Sequence, residues 1–196
     1  VRGMRLVEGD EVVSLSILGG INATAEERQA YVKIAAAKRR AMGEEGAPEE
    51  TGADEETVAD VVLSPERFAE LEAAEQFILT VTENGFGKRS SAYEYRTTGR
   101  GGSGIVGIIT SARNGKVVSS QPVEQTGEIM LMTDRATVIR TTLNDIRIAG
   151  RNTQGVTILR TEKGETVMSV VCVPEGEAGN NDETVELTVN TPDTEA

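Results

Sequence analysis

The sequence predicts a mainly β protein: an array of small sheets repeating about every fifty residues, with a helical insertion near its start and an acidic tail at its end. Three observations lead there. A shift of 51 positions lays Thr82 on Thr133, Arg89 on Arg140, Gly99-Arg100 on Gly150-Arg151 and Gly104-Ile105 on Gly155-Val156, and a shift of 49 lays Gly115 on Gly164. Each copy is made of short apolar, β-branched runs punctuated by turn signals such as Asn84-Gly85 and Asn114-Gly115. Residues 19 to 76 and 174 to 196 break both the register and the composition. One such unit cannot bury its apolar face alone, so a neighbouring unit must cover it.

Val1 to Leu18 is a third, truncated copy, since a shift of 155 lays Val1 on Val156, Gly9 on Gly164 and Leu15 on Val170. The sequence thus reads as opening in the middle of a repeat. Its EVVSLSIL run alternates like a strand that closes this truncated blade, before Gly19-Gly20 breaks it.

Residues 19 to 76 read as an insertion. Ala25 to Met42 is expected to be helical, with Thr24 as N-cap, Glu26 and Glu27 in the first turn, Lys38, Arg39 and Arg40 in the last, and Gly43 as the stop. Tyr31, Ile34, Ala35 and Lys38 give it only a narrow apolar face, so it either packs on the rim of a blade or stands in solvent. Glu44 to Asp60 is acidic, poor in apolar residues and interrupted by Pro48, which predicts disorder. Ser64-Pro65-Glu66 starts a second helix, with Phe68, Leu71 and Ala74 as its buried side.

Two complete blades follow, at 77–127 and 128–173. Strands are expected at Phe77 to Thr82, on both sides of Asn114-Gly115 in GIVGIITS and KVVSSQPV, and at Ile129 to Thr133, Thr137 to Thr142, Val156 to Arg160 and Thr166 to Val173. Four strands per repeat is the natural count, with Met130 and Met132 as core filler. From Pro174 the chain is acidic and has neither helix nor strand period, so residues 174–196 read as a disordered tail.

Composition narrows the function. Aromatics make up 3% and tryptophan is absent, which argues against one large aromatic core. The single cysteine, Cys172, allows no internal disulfide and reads as a small buried side chain. No apolar run is long enough for a membrane span and no signal peptide is visible, so a cytoplasmic location is expected. With no histidine, serine-histidine and cysteine-histidine catalysis are excluded, along with the commonest metal ligand. Asp134, Asp145, Glu162 and Glu165 lie beside turns and read as solvated turn residues. Gly99 to Gly104 spells G-x-G-x-x-G, but a strand rather than a helix follows it and its sister loop GRNTQG lacks the middle glycine. No cofactor, metal or catalytic residue is expected in this chain.

The net charge of −12 hides a division. Residues 77 to 173 carry 12 basic and 8 acidic groups, nine of the basic ones arginine, whereas residues 174 to 196 carry seven acidic groups and no basic one. Lys88, Arg89, Arg96 and Arg100, then Arg135, Arg140, Arg147 and Arg151, recur near corresponding strands and loops. A radial array would set them as a band around its edge, suited to phosphates without sequence reading. From charge alone an ordinary solvated surface is the better reading.

The run NGFGKR, the Gly-Arg-rich loop closing on Gly-Ile or Gly-Val, then NGKVV, IMLMTD and GRNTQGV resembles the C-terminal domain of the DNA gyrase A subunit, over Val1 to Leu18 and Phe77 to Val173. The resemblance implies a propeller-like β-pinwheel whose basic rim wraps duplex DNA, and it favours the eight cations above as DNA contacts. It further implies a parent type IIA topoisomerase, an isomerase in which this part supplies geometry. The B subunit, which uses ATP and magnesium, together with a second A subunit would complete an enzyme that introduces negative supercoils near the nucleoid. Tyr93 and Tyr95 are not the cleavage tyrosine, because their register partners are Asn144 and Ile146 and the family keeps that residue in another domain. Two features depart from the family: the insertion, and the missing Q-R-R-G-G-K-G box, of which Gly99 to Gly104 echoes only the centre. About half the blades are also absent, and the acidic tail is expected either to compete for the rim or to solubilise the chain. The alternatives are an interaction propeller with no nucleic-acid role and the equivalent topoisomerase IV subunit.

Overall fold

The computed structural model describes residues 1–42 and 61–173, so the expectations for Glu44 to Asp60 and for the tail lie outside the described residues. Among the described residues the fold is mostly β, with two antiparallel sheets and two helices. In the first sheet, β1 (Phe77–Thr82) turns at Asn84-Gly85 into β2 (Phe86–Ser91), and β3 (Val117–Val123) returns along the other side of β1. In the second, β4 (Glu128–Thr133) pairs with β5 (Val138–Thr142), and β7 (Val167–Val173) returns along β4. Each hairpin is followed by a short 3-10 turn, Ala92–Glu94 in the first blade and Leu143–Asp145 in the second. Even the register irregularity recurs, between Val81 and Thr82 and again between Met132 and Thr133.

The sheets meet in one core. Phe77, Leu79, Val81 and Val123 of the first cluster with Ile129, Leu131 and Val167 of the second and with Leu143 and Ile146 behind its 3-10 turn. Met130 and Met132 are not core filler: they are 39% and 48% exposed, while their register counterparts Leu79 and Val81 are fully buried. Leu79 and Val81 belong to the core shared with the second sheet, and Met130 and Met132 do not. Cys172 is half-buried beside the Gln121 amide rather than enclosed.

The strands divide differently from four per repeat. Val156 to Arg160 yields only β6 (Val156–Thr157), and it pairs with β2, so the sheet orders are β3-β1-β2-β6 and β5-β4-β7. The second repeat donates an edge to the first. GIVGIITS, the counterpart of β6, forms no strand, and the EVVSLSIL segment is exposed and unpaired as a strand. Among the described residues neither segment pairs with an edge of either sheet, and without a neighbouring strand neither completes a ladder.

Helix α1 (Ala25–Ala41) has a complete capping box, in which Thr24 accepts from the Glu27 N–H and Glu27 accepts from the Thr24 N–H. Helix α2 (Pro65–Ala74) starts at Ser64, whose hydroxyl accepts from the Arg67 N–H. Tyr31, Ala35 and Leu71 form a second small core with Phe68 and Tyr93 packed against it, whereas Ala74 is exposed. The Tyr93 ring meets Tyr31 edge-on at 5.3 Å and its hydroxyl donates to the Leu71 carbonyl at 3.0 Å. Of the two expectations for α1, packing on a blade is therefore the one observed. Among the described residues no helix is long and apolar enough to cross a membrane.

Candidate nucleic-acid interface

The seam between the blades fixes where their cations stand. After the Leu143–Asp145 turn, the chain of the second repeat runs along the free edge of β2. The Arg89 N–H donates to the Arg147 carbonyl at 2.9 Å, Ala149 N–H donates to the Arg89 carbonyl at 2.8 Å, and Gly87 pairs with Val156. Close approach here requires glycine: a Cβ on Gly155, at φ +76°, would lie 2.7 Å from the Gly87 oxygen.

Lys88 and Arg89 lie inside this seam, which corrects their assignment to an outer band. Lys88 is fully buried, and its ammonium donates to the carbonyls of Gly150 and Arg151, at 2.5 and 2.7 Å, and to the Thr153 hydroxyl at 3.2 Å. Three N–H groups meet three acceptors. Burial pushes its pKa down to about 8, with the Glu94 carboxylate pulling the other way. Arg89 is also buried; it donates through Nε to the Ile146 carbonyl at 2.8 Å and lies over the Phe77 ring. Lys88 is thus enclosed by its own acceptors, while Arg89 lines the cleft that also holds Arg147.

The other six divide again. Arg96 and Arg100 are exposed and line a shallow hollow of about 460 Å³ formed by residues 96–104, with glycine, serine and threonine as the remaining lining and, among the described residues, no carboxylate. Arg135 and Arg140 are exposed but paired, with Glu162 at 3.0 Å and with Glu128 respectively. Such surface pairs hold little energy, about 0–1 kcal/mol, and can be re-formed with phosphate. Arg151 is half-buried: its N–H donates to Glu94 at 2.8 Å and its guanidinium donates to the Val106 carbonyl at 3.3 Å. Arg147 is half-buried in the cleft between α1 and the second blade. The surface best fitted to an anion is therefore the Arg96–Gly104 loop.

Two features escaped the sequence reading. Lys88 falls on Ile139 in the 51-residue register, and a position that is apolar in the sister repeat is an interior position, so its burial had a signal. Glu165, read as solvated, is buried and accepts from the Thr133 hydroxyl at 2.6 Å and the Glu162 N–H at 2.8 Å. Among the described residues no group of three His, Cys, Asp or Glu is placed to hold a metal ion.

Comparison with known proteins places this geometry. The DNA gyrase A subunit of Granulibacter bethesdensis is 49% identical over 98% of this chain, and that of Rickettsia bellii 47% over 93%. Both alignments run through the insertion, whereas that with the gyrase A subunit of Haemophilus influenzae, at 49% identity, covers 49% of the chain. The chain spans about a fifth of the length of the first two relatives, 21% and 20%. A solved gyrase A C-terminal domain superposes on 50% of this chain and 33% of its own, with a TM-score of 0.47 at 26% identity. The family described as DNA gyrase C-terminal domain, beta-propeller, matches residues 1–18, 76–124 and 127–174. On the strength of that match over both blades and the truncated repeat, the chain belongs to the DNA gyrase C-terminal domain family.

Proposed function

We propose that this chain binds duplex DNA through its exposed arginines and bends it, as a wrapping part of a gyrase A subunit. The observation that carries this reading is the exposed Arg96–Gly104 loop, lined by no carboxylate among the described residues and standing beside a blade-to-blade seam held by backbone bonds, in a chain of this family. Lys and Arg that neutralise phosphates release counterions, which gives affinity without base reading. Bending a site of about 20–30 base pairs costs on the order of 1–6 kcal/mol, and contacts spread along two fixed blades can offset that. In this reading the chain shapes DNA. Strand cleavage, ATP hydrolysis and the resulting negative supercoiling belong to the remainder of the gyrase, its B subunit included.

The test is duplex binding across a salt series, with the 196-residue chain and a variant carrying Arg96→Ala and Arg100→Ala. Affinity that falls steeply with salt, and less steeply in the variant, supports the proposal. A folded chain that binds no duplex at low salt sinks it.

A further inference from the structure

We infer that Lys88 is a positioning residue: by clasping the Gly150–Thr153 loop of the second blade to β2 of the first, it fixes the angle between blades and hence the bend imposed on DNA. The inference rests on the DNA-binding proposal above and adds to it a role for a cation that touches no phosphate.

Four observations carry it. Lys88 reaches across the seam and spends all three N–H groups on one short loop, through the Gly150 and Arg151 carbonyls and the Thr153 hydroxyl. The Thr153 hydroxyl in turn donates to the Gly150 carbonyl at 2.9 Å, closing the loop on itself around the ammonium. Glu94 of the first blade accepts from the Arg151 N–H at 2.8 Å, so the loop is held from two sides of the same blade. Finally, the clasped loop carries Arg151, whose guanidinium donates to the Val106 carbonyl beyond the 96–104 loop. The register supplies the contrast. Ile139 stands where a second clasp would need its lysine, so this device belongs to one seam and not to the repeat as such.

A phosphate ligand and a clasp predict opposite results. Removing a phosphate ligand lowers the salt slope by about 0.9 and leaves the exchange at the Arg151 amide unchanged. Removing the clasp leaves the slope and relaxes the bend. The experiment uses the 196-residue chain and its Lys88→Met and Thr153→Val variants. For each, the salt slope is measured on a short duplex, the end-to-end energy transfer on a longer duplex dyed at both ends, and the hydrogen exchange at the Arg151 amide.

The expected result is an unchanged salt slope, reduced energy transfer and exchange at Arg151 faster by roughly tenfold or more in Lys88→Met. Thr153→Val should move the same two readouts less. A slope lowered by about 0.9 would make Lys88 a phosphate ligand and overturn the inference, as would unchanged energy transfer. Should Lys88→Met fail to fold, Thr153→Val decides by the same criteria. Wild-type chain that binds no DNA sinks the DNA proposal, and the bend with it; wild-type binding with no difference in the variants sinks the clasp alone.

Discussion

Asn114 and Glu165 do the same work in successive repeats: Asn114 Oδ1 accepts from the Ser111 N–H at 2.7 Å and Glu165 Oε2 accepts from the Glu162 N–H at 2.8 Å. Each side chain caps the turn that feeds the returning strand, three residues back. The truncated copy keeps the device, since Asp10 accepts from the Val7 N–H and Val7 accepts from the Asp10 N–H. An amide and two carboxylates thus hold one position, which sequence similarity alone does not reveal.

That equivalence makes a pH prediction. The Thr133 hydroxyl first, then the Glu162 N–H, pull the Glu165 carboxyl from near 4.5 down to about 2. A carboxylate favoured in the folded state contributes stability that is complete above about pH 4.5 and is lost as pH falls through about 2. Wild-type and Glu165→Gln chains should therefore differ most in Tm near pH ~6 and converge as pH drops below ~4.5. A difference that stays constant down to about pH 2.5 would remove the carboxylate from the account.

Gly85 should not tolerate a side chain. It sits at φ +76°, and a Cβ there would lie 2.1 Å from the Leu159 oxygen, at the point where the second repeat crosses the first hairpin. Backbone strain of this kind alone costs about 1–3 kcal/mol, and here the seam must open as well. Gly85→Ala is expected to lower the unfolding midpoint by more than Gly3→Ala, because Gly3 has open space around its Cβ position. Equal midpoints would mean the seam is not closed as described.

The insertion should detach without the blades. Leu71 is fully buried under Tyr31, and Leu71→Ala is expected to cost about 2–5 kcal/mol locally. Because Tyr93 is the blade residue in that small core, loss of helix signal at lower denaturant should leave the sheet transition in place. One coincident transition for both would show that the insertion and the blades unfold as a unit.

The repeat was legible because glycines, threonines and arginines sit at matched turns, and Thr24 and Ser64 announced both helices. Strand ownership was not legible. Val156-Thr157 spells a strand in either sheet, and only the path taken after Ile146 decides that it completes the neighbour's edge. Charge misled for a similar reason. Lys88 reads as a surface cation until its loop of acceptors, over sixty residues later in sequence, is brought against it.

The exposed arginines give the last prediction, which separates cations with no carboxylate partner among the described residues from paired ones. Among the described residues Arg96 and Arg100 face no carboxylate in their hollow, whereas Arg140 and Arg135 are held by Glu128 and Glu162. Moving a paired guanidinium to phosphate trades one weak surface interaction for another, so it contributes less net affinity. Replacing Arg96 and Arg100 by alanine should flatten the salt slope by about 0.9 for each phosphate left unneutralised. Replacing Arg135 and Arg140 should flatten it less, and Glu128→Gln with Glu162→Gln should strengthen binding by releasing them. If the acidic substitutions leave duplex affinity unchanged at low salt, those two arginines do not face the DNA, and its path follows the glycine-rich loop alone.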